Sequence, residues 1–177
     1  MSLKTEAENI VAYLKLLDYL QQFGKVGIAG SVALDLIVKP DIDVHVLAKN
    51  NDLFQIVDPV YRYLLDFPEI QKVNICDYRD RNGIKIGLGE YRGATCSWSI
   101  DIWLTTNEKT TGFELAERLN RDLTASQREL ILKIKKDYYD RDACFESLST
   151  AIYRAVVDHG IQSLSEFKKM DINSLLL

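Results

Sequence analysis

Residues 27–47, GIAGSVALDLIVKPDIDVHVL, hold the most informative pattern in this chain of 177 residues. A short apolar strand is predicted to end at Gly30 and Ser31, and a second strand to open at Asp41 after a brief connection. Side chains alternate between the two faces of a strand, so Asp41 and Asp43 share one face and the apolar residues between and after them share the other. Packing does not require two acids at the start of an apolar strand. This acid pair therefore needs a functional explanation.

The residues around this stretch predict an α/β (α+β) fold with a mixed β-sheet flanked by helices. The predicted elements are helices over residues 5–23 and 51–66 and further strands over 70–78, 84–90 and 96–104. Asn82 and Gly83 lie between two of these strands, and Asn-Gly is a strong β-hairpin signal. From residue 111 onward the pattern is typical of helices alone. We therefore expect a core over residues 1–106 and an all-helical C-terminal part over residues 107–177, packed on the core.

A third acid lies in the middle of the predicted strand CSWSIDIWL, residues 96–104. Asp101 falls on the opposite face from Ile100 and Ile102, and a charge there is costly unless it is paired or bound to a metal. If this strand lies beside the Asp41 strand, three carboxylates gather on one sheet face and repel each other without cations. Carboxylate oxygens are suitable ligands for Mg²⁺, and two such ions can stabilise an in-line displacement at phosphorus.

The combined pattern resembles the signature of the nucleotidyltransferase superfamily, the DNA polymerase β-like fold. It consists of Gly30-Ser31, nine intervening residues, Asp41 and Asp43 one residue apart, and the later strand acid Asp101. The resemblance covers residues 24–104 and implies that the three acids bind two Mg²⁺ ions, with Asp101 also a possible general base. It implies that Gly30 and Ser31 hold the phosphates of a nucleoside triphosphate. The stretch is also similar to the small lincosamide and aminoglycoside nucleotidyltransferases and to the GrpB family.

Three side chains near the acids have two interpretations each. Lys39 precedes the acid pair and is assigned to nucleotide binding, although a solvated lysine is the commoner case. Lys85 is placed on a neighbouring strand with the same two interpretations. His45 shares the face of the acids, and we interpret it as a structural histidine rather than a substrate contact.

The resemblance implies a Mg²⁺-dependent transfer of a nucleoside monophosphate from a triphosphate to an acceptor hydroxyl, with release of pyrophosphate. The chain carries 22 basic and 26 acidic residues, a net charge of −4, which argues against broad nucleic-acid binding and favours a small-molecule acceptor. The C-terminal helices are expected to form the acceptor site, where Glu114, Glu117 and Asp122 would suit a cationic acceptor. A solvated helix face explains these acids equally well, and a homodimer could complete the pocket.

Two other classes of function stay open at this point. A catalytically inactive module could keep the fold and bind nucleotide, or act in an interaction. A two-metal hydrolase also uses clustered carboxylates, but the scarcity of histidines counts against it. The N-terminus lacks a signal-peptide pattern and no apolar run reaches the length of a membrane span, so we expect a cytoplasmic protein.

Overall fold

The computed structural model of the chain describes residues 1–144 and 147–175, apart from the side chain of Asn173. The chain divides into two compact units, Met1–Arg118 and Leu119–Leu177. The first contains the β-sheet and the second is helical, in agreement with the predicted fold class. The predicted domain boundary between residues 106 and 107 stays a prediction. None of the described helices has the length and apolar character needed to span a bilayer.

The first unit combines a sheet with short and medium helices. Its helices are α1 (Leu3–Tyr13), α2 (Leu16–Leu20), α3 (Gly30–Ala33), α4 (Phe54–Leu65) and α5 (Phe113–Asp122), the last of which runs into the second unit. Its strands are β1 (Gly24–Ala29), β2 (Asp41–Ala48), β3 (Val73–Tyr78), β4 (Gly83–Arg92) and β5 (Ser97–Thr105). The helix predicted over residues 5–23 is broken in two, because Lys15 adopts a left-handed backbone conformation with φ of 46°.

The five strands form one mixed sheet in the order β1-β2-β5-β4-β3. Strands β2 and β5 are parallel, whereas β1 with β2, β4 with β5 and β3 with β4 are antiparallel. The hairpin predicted from Asn82-Gly83 is present, and Asn82 makes the turn with a φ of 58°. The topology places β2 directly beside β5, which is the arrangement that the three acids require.

One face of the sheet carries the apolar core. The register pairs of β2 and β5 on this face are fully buried aliphatic residues: Ile42 with Ile100, Val44 with Ile102, and Val46 with Leu104. They pack in one cluster with apolar residues of α1, α2 and α4. Burying each such side chain contributes about 1.5–3 kcal/mol, so this face stabilises the fold and fixes the register of the two strands.

A buried acid ties α1 to the loop before β5. Glu6 is only 2% exposed, and its carboxylate accepts hydrogen bonds from the backbone N–H of Thr95, at 2.9 Å, and from the Thr95 hydroxyl. These bonds lower the pKa of Glu6 and keep it charged. The contact holds the segment that leads into β5.

The second unit consists of packed helices. They are the remainder of α5, α6 (Ala125–Asp140), α7 (Leu148–Val157), α8 (Leu164–Phe167) and a single 3₁₀ turn, Ile172–Leu175. Helix α6 begins with a capping box, which Thr124 and Gln127 form. Ile131 and Ile134 of α6 and Ile152 of α7 are fully buried. The helical character predicted for this region is therefore confirmed.

Candidate active site

The turn between β1 and α3 depends on the glycine at position 30. Gly30 has a φ of 60°, in the left-handed region where residues with a Cβ are strained. A Cβ at this position would also collide with Oδ2 of Asp43, because the neighbouring Ala29 is the register partner of Asp43. Ser31 follows in the same turn. The structure therefore brings the predicted phosphate-binding turn and the second acid together.

Strand β2 presents its two acids on one face, as the alternation predicts. Asp41 and Asp43 are partly exposed, whereas Ile42 between them is buried. Lys39 lies just before the strand, and its Nζ is 2.7 Å from Oδ2 of Asp41. The lysine side chain is 51% exposed and that of Asp41 is 23% exposed. In this structure Lys39 contacts the first acid, while its assignment to nucleotide binding stays a prediction.

Strand β5 places the third acid beside the second. Asp43 and Asp101 are register partners in the parallel pair of β2 and β5. The preceding register partners, Ile42 and Ile100, are buried on the apolar face, so Asp43 and Asp101 project from the opposite face. Neighbouring strands lie about 4.8 Å apart. The two carboxylates therefore border the same small volume, which is the geometry that a shared cation needs.

Strand β4 supplies a cation to the third acid. Nζ of Lys85 donates to Oδ2 of Asp101 at 3.0 Å, and the two side chains are 30% and 28% exposed. Burial alone would lower the pKa of Lys85, but the hydrogen bond and charge of Asp101 raise it above its ordinary value. Gly87 is the register partner of Asp101 on β4, and a Cβ there would lie 3.1 Å from Oδ1. Oδ2 of Asp101 thus contacts the ammonium group of Lys85, and Oδ1 lies beside Gly87, which has no side chain.

The sequence places Lys85 on a neighbouring strand, as a phosphate contact or a solvated lysine, and does not predict its ion pair with Asp101. The signal that could have found it is the alternation in IKIGLG, residues 84–89, which puts Lys85 and Gly87 on one face of β4. That alternation does not give the register between β4 and β5. Without the register, the partner of Lys85 could not be named.

The chemistry of the donor set fits magnesium. Asp41, Asp43 and Asp101 offer only oxygen donors from one sheet face, and Mg²⁺ prefers carboxylate and water oxygens. The carboxylate of Asp43 lies close against Gly30, where a Cβ would collide with it. In residues 1–144 and 147–175, no group of three or more His, Cys, Asp or Glu side chains is arranged to hold a metal ion. The assignment of these acids as metal ligands therefore stays a prediction.

The expected repulsion among the acids is offset by two lysines. Lys39 neutralises Asp41 and Lys85 neutralises Asp101 in the structure. The acids of the sheet face therefore do not require bound metal to be accommodated. Replacing Asp101 by Asn would remove an ion pair as well as a repulsion.

His45 has a structural role in this arrangement. Its Nδ1 accepts a hydrogen bond from the backbone N–H of Gly112 at 2.9 Å, and its ring lies 6.3 Å from that of Phe113. Burial lowers the pKa of His45 to about 4, so the imidazole is neutral at pH 7. His45 thus holds the segment before α5 against β2, and the geometry supports the structural interpretation.

The other sequence candidates lie outside this group of residues. Glu114, Glu117 and Asp122 are exposed on α5, and Asp122 accepts a hydrogen bond from Nε of Arg121 at 2.7 Å. This pattern is typical of a solvated helix face. A role for these acids in acceptor binding stays a prediction.

The solved structures that are similar to this chain include two of the Cid1 poly(U) polymerase and one of an RNA terminal U-transferase. A mutant of the Cid1 poly(U) polymerase bound to MgATP is 17% identical, with a TM-score of 0.64 over 90% of this chain and 52% of that chain. The same polymerase bound to MgGTP is 19% identical, with a TM-score of 0.59 over 78% of this chain and 43% of that chain. A cytoplasmic RNA terminal U-transferase is 20% identical, with a TM-score of 0.56 over 78% and 41% of the two chains.

These comparisons have clear bounds. The chain spans about half of the length of these proteins, or less. No family model matches it, and no curated protein matches it. The similarity to the small antibiotic-modifying enzymes and to the GrpB family stays a prediction. At these identities the likeness shows the fold alone, and the chain shares the fold of these proteins, as the resemblance over residues 24–104 implies.

Proposed function

We propose that this protein is a Mg²⁺-dependent nucleotidyltransferase, which moves a nucleoside monophosphate from a nucleoside triphosphate to an acceptor hydroxyl and releases pyrophosphate. The observation that carries the proposal is the register pairing of Asp43 with Asp101 on the face next to the Gly30 turn. A packing role does not explain two facing carboxylates in the centre of a sheet. The fold shared with nucleotide-bound polymerases supports the same reaction.

Each residue has a distinct task in the proposed reaction. Asp41, Asp43 and Asp101 would hold magnesium, which when bound supplies positive charge against the charge that develops on the phosphoryl oxygens. The backbone at Gly30 and the side chain of Ser31 would hold the outer phosphates. The protein gains most of its rate enhancement from positioning, as is general for phosphoryl transfer.

The bond changes balance without another reactant. The acceptor oxygen forms a bond to the α-phosphorus, and the bond from that phosphorus to the bridging oxygen breaks. Asp101 accepts the hydroxyl proton in this proposal, the role of general base that the resemblance implies for it. Pyrophosphate leaves with the electron pair of the broken bond.

The acceptor in this proposal is a small molecule. The support is the net charge of −4, because proteins that bind long nucleic acids usually carry a basic surface. A second candidate acceptor is the 3′ end of an RNA, favoured by the likeness to an RNA terminal U-transferase. The cytoplasmic location and a homodimer are further proposals, and sedimentation of the purified chain tests the second.

A transfer assay with labelled triphosphates tests the function. The protein is incubated with Mg²⁺, each of the four α-³²P-labelled ribonucleoside triphosphates, and either an aminoglycoside, a lincosamide or an RNA oligonucleotide. We expect pyrophosphate release with label on one acceptor class, and loss of at least about 10²-fold in rate for Asp43→Asn. An RNA with a blocked 3′ hydroxyl is the control for the RNA arm.

The outcomes separate the competing functions. Label on RNA rather than on a small molecule would replace the acceptor and keep the reaction. Release of inorganic phosphate without acceptor labelling would indicate a hydrolase. Nucleotide binding that is independent of Mg²⁺, with no transfer in any arm, would indicate an inactive binding module.

A further inference from the structure

The two lysines on the acid face are held differently. Lys39 is 51% exposed and lies outside the helices and strands, so solvent and salt weaken its ion pair with Asp41. Lys85 is 30% exposed, belongs to β4, which is paired on both sides, and donates to Asp101 at 3.0 Å. Its position is fixed by the ladder, because its register partner on β5 is Trp103. Lys85 is therefore the more persistent counter-ion of the acid face.

An ammonium group and a divalent cation compete for the same carboxylate. A ligand oxygen lies about 2.1 Å from Mg²⁺, and a lysine hydrogen-bonded to that oxygen brings a second positive charge into the same small volume. Asp101 has one oxygen on Lys85, and its other oxygen faces Gly87. Oδ1 is the oxygen that Lys85 does not contact, and a metal bound to it meets the repulsion of Lys85 as long as the ion pair persists.

We propose that Lys85 is a positioning residue that makes metal binding at Asp101 depend on the triphosphate. It occupies Asp101 in the absence of ligands and weakens the binding of a metal that arrives alone. A triphosphate brings several negative charges to the site. These charges offset the repulsion between the metal and the ammonium group of Lys85. This inference rests on the proposed function, because it takes Asp101 as a metal ligand.

Binding of Mn²⁺ alone tests the inference without any measurement of activity. Free Mn²⁺ is counted by electron paramagnetic resonance in titrations of the wild-type full chain and of Lys85→Met, at fixed ionic strength and without nucleotide. We expect Lys85→Met to bind Mn²⁺ about tenfold more tightly or better, because hydrogen bonds to charged groups have net strengths of that order. Addition of a non-hydrolysable triphosphate should reduce the difference between the two proteins.

Two matched variants separate this effect from a general change of charge. Lys39→Met removes the more exposed ion pair, that of Lys39 with Asp41, and we expect the affinity for Mn²⁺ to change by about fivefold or less. Lys49→Met removes an exposed lysine directly after the far end of β2, and we expect a change of about twofold or less. Lys85→Arg keeps the positive charge and should bind Mn²⁺ as weakly as the wild type. Circular dichroism at the titration temperature verifies that each variant is folded.

The possible results distinguish this inference from the proposed function. Equal or weaker Mn²⁺ binding by folded Lys85→Met, with measurable binding by the wild type, would overturn the role of Lys85 and leave the metal site standing. Failure of every variant and of the wild type to bind Mn²⁺, with or without triphosphate, would overturn both. If Lys85→Met does not fold, Lys85→Gln takes its place in the titration. An affinity for Mn²⁺ that is equal in Lys85→Gln and the wild type, at the same salt concentration, would then overturn the inference.

Discussion

The two faces of the sheet use the same strands for opposite purposes. On one face, Ile42 with Ile100 and Val44 with Ile102 form fully buried register pairs. On the other face, one position along, Asp43 pairs with Asp101. The first face contributes the stability of the fold, and the second contributes the charged groups that a packing argument cannot explain.

This difference shows how a fold positions costly residues. Because side chains alternate, the burial of the aliphatic pairs fixes the register that brings the acids together. A slip of one residue would move the acids into the core and the aliphatic residues into water. The apolar face therefore determines the geometry of the acid face, and the lysines of the acid face reduce the electrostatic cost that remains.

The largest expected effect is on stability and comes from the apolar face. Ile102 is fully buried, so Ile102→Ala should lower the free energy of unfolding by about 4 kcal/mol, through lost burial and a cavity. Chemical denaturation measures the change. The matched variant Ser99→Ala on the acid face, where Ser99 is exposed, should change stability by about 0.5 kcal/mol or less. Equal losses in the two variants would contradict the division of the sheet into a stabilising face and a functional face.

The second effect is a pH dependence that originates on the acid face. His45 has a pKa of about 4 in the folded protein and 6.5 as its ordinary value, so the unfolded chain binds more protons between these values. Stability from the neutral imidazole is complete above pH 6.5 and is lost as the pH falls toward 4. Between pH 7 and pH 5 the loss should be about 2 kcal/mol.

The variant His45→Asn isolates this contribution. An amide oxygen can accept the Gly112 hydrogen bond but does not titrate, so the difference in unfolding free energy between wild type and variant should vary with pH in this window. A difference that stays constant from pH 7 to pH 5 would show that His45 is not buried as a neutral side chain.

The smallest effect compares two glycines with similar backbones. Gly30 has a φ of 60° and Gly160 a φ of 65°, but a Cβ collides with Asp43 at the first and meets nothing within 4 Å at the second. Substitution by Ala should cost each protein about 1 kcal/mol of unfolding free energy from backbone strain. Only Gly30→Ala should also weaken Mg²⁺-dependent triphosphate binding, measured by calorimetry. Loss of binding in both variants, or in neither, would remove the special role of the first glycine turn.

Local patterns in the sequence predict most of the sheet. The alternation in β2 and β5 assigns each of their residues to a face, and Asn82-Gly83 predicts the hairpin of β3 and β4. The resemblance that predicts the fold can also be read from the sequence, because the glycine turn and the acid pair lie within one local segment. These features depend on residues that are close in the chain.

Features that depend on distant partners could not be predicted. The contact of Lys85 with Asp101 depends on the register of β4 against β5, which also contains an irregularity between Leu88 and Tyr91. The break in the first predicted helix depends on the left-handed conformation of Lys15, a residue type that normally favours helix.

The most direct test of the account is the stabilisation of the protein by triphosphate with and without Mg²⁺. The melting temperature is measured for the wild type and for Asp101→Asn with each of the four ribonucleoside triphosphates. For the wild type with Mg²⁺, a triphosphate at 100 times its dissociation constant should add about 2.7 kcal/mol of stability. We expect this gain to be lost without Mg²⁺ and in Asp101→Asn, and an equal gain in all of these conditions would contradict Mg²⁺-dependent binding of the triphosphate at these acids.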